Sequence, residues 1–473
     1  MGEEISRSLF GQEDFDRFGE RLTEETGLFG DLSASDRLSG DGFVAGFEIE
    51  AWLLDHGFFP NPVNDRFLET LAHPLAVPEL SRFNVELNCE PLELTGDVLR
   101  RATEALGGLW EHCNHVAHGL DTNMVMIGTL PIIRDEDLTL ANMSPQTRYE
   151  ALNREILRQR GGSPLVVDID GDERLRSEHR DVMLEAATTS FQIHLKTPAD
   201  VAHRYYNASI MASGPILAGC ANAPYLFEKA LWAETRIPLF EQSIGLTDFE
   251  GTRGRVTFGS GYLQSTLWEA LAENRDAYPV LLPILFDEPA TAFRHLRLHN
   301  GTIWRWNRPL VGFEGDGTPH VRIEHRVMPS GPTIIDMIAN AAFYFGLVRE
   351  MVDSGFDEDG GLSFADADAN FYAAARSGLD TELVWPGAGR VAAPDLLLDE
   401  LIPAARRGLA AFGVDAEDIR LYLDIVAARV RSGQTGAAWQ RAALGHRGGD
   451  FREMMSVYCE RQRSAVPVHQ WAL

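Results

Sequence analysis

Lysine is all but missing from this chain: only Lys196 and Lys229 occur, and arginine supplies the rest of the 42 cationic side chains. Neither lysine follows a glycine, so no GK[ST] run exists and a P-loop is excluded as the means of holding a nucleotide. Positive charge is scarce altogether, since 70 Asp and Glu leave a formal net charge of -28. Nucleic acid and anionic membrane surfaces would be repelled, and an anionic substrate would need a local cationic site. Long hydrophobic runs are missing too. The longest uncharged stretch, 205–227, carries Gly214, Pro215, Asn222 and Pro224, a poor membrane span. The four cysteines, Cys89, Cys113, Cys220 and Cys459, form neither a CxxC pair nor the ladder of a small secreted scaffold, which points to a reducing cytoplasm. The opening MGEEISRSLF has neither the basic nor the apolar region of a secretory signal. GxSxG and HExxH are both missing.

What is present is a large apolar fraction, 45% of 473 residues, enough for a sizeable core. Gly11 to Gly27 has helical spacing and is followed by a Gly/Ser/Asp-rich loop from Gly30 to Gly42. Four later stretches alternate with period two. In GFVAGFEIEAWLLD, Phe43, Ala45, Phe47, Ile49, Ala51 and Leu53 share one face, and Glu48 and Glu50 the other, roughly 7 Å apart. In FNVELNCE the front carries Asn84, Glu86, Asn88 and Glu90, before Pro91 ends or bulges the strand. TTSFQIHLK places Ser190, Gln192 and His194 together, and PHVRIEHRVMP places His320, Arg322, Glu324 and Arg326 together. Leu99 to His118, Tyr149 to Arg160, Thr333 to Met351 and Ala416 to Arg431 read as helices, as does PYLFEKALWAETRIPLFEQS with a break near Pro238. MVMIGTLPI reads as a buried strand, VVDIDGDERL as a hairpin, and Gly251 to Gly261 as a loop over a ligand. Strands and helices alternate without a βαβ cadence, so the expected class is α+β, an antiparallel sheet with helices packed on its apolar face.

If the four strands share one sheet, its polar face gathers carboxylates, an imidazole and guanidiniums in a concentration that cannot stay unpaired in a cleft. Divalent cations resolve it, and oxygen donors with few histidines favour Mg²⁺ or Mn²⁺ over Zn²⁺. Arg322 and Arg326, with Glu324 between them, suit phosphoryl oxygens and a metal together, as phosphoryl transfer requires. The segment before them strengthens this, because Arg294, Arg297, Arg305 and Arg308 fall between Thr291 and Phe313 with no carboxylate. Three other groupings read as structure. Asp168, Asp170 and Asp172 suit a hairpin turn better than a calcium loop, His112, His115 and His118 form one face of a helix, and Cys89 lies on the apolar side of its strand.

GFEIE, FNVELN, SFQIH, ALWAETRIPLFEQS, HNGTIWRWNRP and HVRIEHRVMPSGPT together resemble the second glutamate-cysteine ligase family, which includes carboxylate-amine ligases, over roughly residues 43 to 350. The resemblance implies a glutamine synthetase-like catalytic fold with a curved antiparallel sheet. It also implies ATP-dependent amide formation through an acyl phosphate, with Mg²⁺ held by strand carboxylates. Carried over, Glu48 and Glu50 match the first acidic pair, Glu86 with Glu90 or Glu93 the second, His194 the strand histidine and Glu324 the acid of the RxExR strand. Arg322 and Arg326 would meet phosphate. Arg308 and Arg236 are clamps by analogy, and Gln192 and Trp304 are substrate-contact candidates. The implied division is an N-terminal helix and loop (1–42), a catalytic domain (43–355) and a mostly helical C-terminal extension (356–473). The implied partners are ATP, a small carboxylate and a small amine whose identity the sequence leaves open, and a homo-oligomer is compatible with all of this. Two other classes stay open: a guanidino kinase-like phosphotransferase, and a metal-dependent hydrolase or binding protein.

Overall fold

The computed structural model describes residues 4–246, 254–356 and 361–473. In chain order, β1 (Val44–Leu54), β2 (Ala76–Pro78), β3 (Asn84–Asn88), β4 (Leu92–Glu93) and β5 (Asn123–Val125) precede a hairpin of β6 (Leu165–Asp170) and β7 (Arg174–His179). Then come β8 (Ser190–Lys196), a short pair β9 (Tyr225–Leu226) and β10 (Lys229–Ala230), and finally β11 (Asn307–Phe313) and β12 (Pro319–Pro329). Eight of these build one antiparallel sheet in the order β11-β12-β8-β1-β3-β2, with β4 and β5 also paired to β1. The helices that precede or flank it are α1 (Gln12–Ala34), α2 (Asn64–Leu71), α3 (Val98–Gly119), α4 (Thr147–Gln159), α5 (Ala202–Cys220), α6 (Arg236–Ser243), α7 (Trp268–Ala277), α8 (Arg294–Asn300) and α9 (Ile334–Asp353).

Alternation in the sequence becomes two faces of this sheet. Behind it, Phe47 stacks on Phe191 with ring centroids 5.9 Å apart and meets Phe345 of α9, while His325 stacks on Tyr344 of α9 at 4.3 Å. Helices α5 and α9, buried along nearly their whole length, cover that apolar face. The expected α+β architecture is therefore the observed one. C-terminal helices extend the same core: Ile402–Ala411 lies on α9 so closely that a Cβ on Gly346 would press into the Ala405 backbone, and one on Gly408 into that of Gly346.

Three local readings change. Helix α1 continues to Ala34, through residues that read as the start of a loop. Residues 224–243 are not one interrupted helix. Phe227 and Glu228 sit at φ 53 and 58, which turns β9 back into β10, and α6 begins only at Arg236. Pro238 then falls in the first helical turn, where its missing N–H costs nothing. Of MVMIGTLPI only Met124 and Val125, together with the preceding Asn123, pair with β1, the remainder running buried but unpaired with the sheet. The Gly/Arg-rich stretch is free of helix and strand from Gly254 to Gly261, and its first residues, 251–253, lie outside the described residues. No described helix is long and apolar enough to cross a membrane.

Candidate active site

Register brings the polar residues of the four strands onto one face. Glu48 pairs with Gln192 and with Asn88, Glu50 with Glu86, Gly46 with His194, and His194 with Glu324. Two sets of donor atoms result, each within 4.8 Å of one another: Glu48, His194 and Glu324, and Glu50, Glu79 and Glu86. In the first, His194 Nε2 lies 2.9 Å from Glu48 and 3.8 Å from Glu324. In the second, Glu50 accepts hydrogen bonds from Ser190 N (2.6 Å), Ser190 Oγ (3.0 Å) and Gln192 Nε2 (2.8 Å), which fixes its carboxylate. Glu86 accepts from Asn88 Nδ2 at 3.0 Å. Glu79 accepts from Leu80 N through one oxygen, while its Oε1 is buried without a hydrogen-bond partner.

Guanidiniums frame the first set. Arg308 forks onto Glu324 with contacts of 2.8 and 2.9 Å, and Arg326 reaches Glu324 at 3.0 Å while also donating to Gln192. The Arg322 guanidinium has no hydrogen bond or ion pair among the described residues. These groups line a cavity of about 250 Å³, walled also by Arg294, Arg297, Trp304, Tyr149 and Phe286.

The two sets differ electrically. Burial pushes Glu48 up, but the adjacent His194 more than offsets it and holds the carboxyl at about 2. Burial likewise opposes ionisation of Glu324, and Arg308, Arg326 and His194 hold it well below the usual range. Burial and then the Glu48 charge raise Glu86 to about 7. Burial raises Glu79 further still, reinforced by Glu86 and Glu50. The second set is therefore a group of carboxyls that protons or a cation must neutralise. Oxygen donors, one imidazole and an unpartnered buried carboxylate oxygen make a donor set that could hold divalent cations.

Comparison with known proteins agrees with this geometry. Residues 44–457 match the model of glutamate-cysteine ligase family 2. The chain belongs to that family. Among solved structures it is similar to the glutamate-cysteine ligase of Francisella tularensis, determined in complex with AMP, with a TM-score of 0.54 and 12% identity over 89% of each chain. It also aligns with a bifunctional glutathione synthetase from Pasteurella multocida, with a TM-score of 0.49 and 11% identity over 93% of this chain and 54% of the other. No curated protein matches the chain. Family and fold make it an ATP-dependent carboxylate-amine ligase of glutamine synthetase-like architecture.

Against the residues expected from this family's pattern, the structure gathers Glu48, Glu50, Gln192, His194, Trp304, Arg308, Arg322, Glu324 and Arg326 around the cavity, with Glu86 just behind Glu50. Glu90 is a correction. Pairing of β3 stops at Asn88, Cys89 N donates to Phe47 O at 3.0 Å, and Glu90, beyond the end of the ladder, is exposed and in neither donor set. Glu93 is exposed as well. Its place is taken by Glu79, in the irregular link between β2 and β3, where no periodicity marks it. Arg236 is not among the cavity-lining side chains. It lies behind β12, 3.1 Å from Glu234 and stacked over Trp306, and donates to the carbonyls of Arg326 and Val327 where the strand bulges. Trp306 is core, bonded to Glu241 at 3.0 Å. Glu185 is a second group that alternation did not reveal. It lines the cavity from a 3₁₀ turn, and its signal was a lone acid in the uncharged run Val182–Thr189. His112, His115 and His118 are exposed on α3, and burial raises the half-buried Cys89 thiol to about 11, so it is not a reactive thiolate.

Proposed function

We propose that this protein joins the γ-carboxyl of glutamate, or of a similar small carboxylate, to a small amine such as cysteine, with ATP supplying an acyl phosphate. The observation that carries this reading is the pair of donor sets side by side on one sheet face, with Arg308, Arg322 and Arg326 around the first. A carboxylate is a poor electrophile, and transfer of a phosphoryl group gives it a leaving group. Such transfer is catalysed by positioning and by neutralising spread negative charge. Glu48, His194 and Glu324 would hold one Mg²⁺ or Mn²⁺, and Glu50, Glu79 and Glu86 a second. Bound there, the metal supplies charge neutralisation for the phosphates. Arg322, without an ion pair of its own, is available to phosphoryl oxygen. Arg308 and Arg326 keep Glu324 ionised and oriented. Among the described residues no serine, lysine or reactive cysteine lines the cavity to carry the acyl group covalently, so activation falls on the substrate itself.

The test is isotopic. Glutamate labelled with oxygen-18 in its γ-carboxyl is turned over with cysteine and ATP, and one labelled oxygen per turnover is expected in inorganic phosphate, with ADP as the other product. Release of AMP and pyrophosphate, or a stable phosphorylated product without amide, would overturn the reading.

A further inference from the structure

Register grades the polar face from cationic to anionic. Along β12, β8 and β1, Arg322 stands level with Lys196; one step on come Glu324 and His194, then Arg326 and Gln192 with Glu48, and last Ser190 and Glu50, with Glu86 beside Glu50 on β3. Phosphates belong at the arginine end. At the opposite end the cavity carries Glu79 and Glu185, both off the ladder, and Arg148, which acts on Glu79 and is hydrogen-bonded to the Tyr149 hydroxyl. Glu79 is 9% exposed and its Oε1 has no partner. Glu185 stands in the 3₁₀ turn Met183–Ala187, whose other side chains are all buried and apolar. It belongs to neither donor set, and its carboxylate has no hydrogen bond or ion pair among the described residues. Arg326, the nearest cation in its field, is already committed to Glu324 and Gln192.

A carboxyl without a partner in a half-buried cavity either keeps its proton or costs free energy as an anion, until a cation arriving with the ligand displaces that proton and holds it ionised. Metal positions are furnished by the two triads, which leaves an organic cation for Glu185. The ligase reaction brings one, because a primary amine reaches the site as an ammonium and must shed a proton before its nitrogen can attack. We propose that Glu185 receives the acceptor amine as its ammonium and takes its proton as the C–N bond forms, an assignment that rests on the ligase reading above. The step balances. One ammonium proton passes to Glu185, the nitrogen lone pair bonds to the acyl carbon, and the carbon–oxygen bond to phosphate breaks. A second proton leaves with the phosphate, the third stays on the amide nitrogen, and Glu185 returns its proton to water. The class of acceptor is thus a protonated primary amine, and a nucleophile that is uncharged near neutral pH has no need of Glu185.

That difference supplies the test. The unaltered protein, E185Q and E185D are each assayed with MgATP and glutamate, once with cysteine and once with hydroxylamine, which is uncharged near neutral pH and traps the acyl phosphate as a hydroxamate. For E185Q we expect kcat/KM for cysteine to fall by about thirtyfold or more while hydroxamate formation changes by less than about threefold. E185D, which keeps the charge on a shorter stem, should fall between. Equal loss in both reactions, or a raised Mg²⁺ requirement in place of a raised KM for cysteine, would make Glu185 a structural or metal-binding group and overturn the assignment. Failure of the unaltered protein to form hydroxamate would instead overturn the ligase reading itself.

Discussion

Glu324 and Glu86 are both buried glutamates on one sheet face, yet they should respond oppositely to the same substitution. Glu324 is held ionised by two guanidiniums, so Glu324→Gln leaves Arg308 and Arg326 without their counter-charge. Turnover should fall by about a hundredfold or more, and unfolding in denaturant should show a loss of about 3 kcal/mol, as for breaking a buried pair. Glu86, raised by burial to about 7, is in part a neutral acid near neutral pH without metal. Glu86→Gln mimics that form, so it should leave metal-free stability unchanged or raised while abolishing most activity. The same contrast sets the pH dependence. Glu86 and Glu185, raised to about 7 and about 8 from 4.5, bind protons in the fold that the unfolded chain has released. Their contribution to stability is complete below about 4.5 and is lost as pH rises through about 7 and 8. Glu48, lowered to about 2, contributes in the other direction, above about 4.5, and loses its contribution only as pH falls toward 2. Melting of the metal-free protein should therefore drop between about pH 6 and pH 8, and Mn²⁺ should raise it more at the upper end, where no proton has to be displaced. Equal stabilisation by metal at both pH values would remove the second donor set from consideration.

At the scale of elements, the bulge in β12 aims Arg326, and Arg236 at the head of α6 secures that bulge from behind. Arg236→Met should destabilise by about 3 kcal/mol, because Glu234 is left buried without its partner. Adding Glu234→Gln should recover part of the loss, measurable as a coupling energy in a double-mutant cycle. No recovery would mean that Arg236 acts through its carbonyl contacts alone. Close approach of helix Ile402–Ala411 to α9 sets a second expectation: Gly346→Ala forces two backbones apart and should cost about 1–3 kcal/mol, read as a lower melting temperature.

For the whole molecule, charge is the dominant feature. A net charge of -28 repels itself, and the repulsion is screened over roughly 10 Å at 0.1 M salt and about 3 Å at 1 M. Stability should rise as KCl is increased across that range, although the buried pairs of the site, shielded from solvent, gain little. A melting temperature independent of KCl would show that the surface acids are too far apart to matter.

Period two in four stretches was enough to identify the strands, their polar fronts and about half of the cavity-lining charges, since alternation is a property of the backbone that the sequence displays directly. The family resemblance supplied the chemistry for the same reason: the motifs are those strands. Tertiary structure decided the rest. Glu90 and Glu79 carry the same side chain, and only the end of the β3 ladder at Asn88 and the path of the link from β2 to β3 put one in solvent and the other beside Glu50. Arg236 read as a clamp for a ligand and lies instead behind the sheet, because a guanidinium's role depends on which side of a strand it reaches from. Glu185 has no periodic neighbours, and its place opposite the arginines follows from folding a 3₁₀ turn over the end of β8, a contact between distant parts of the chain that local pattern does not encode.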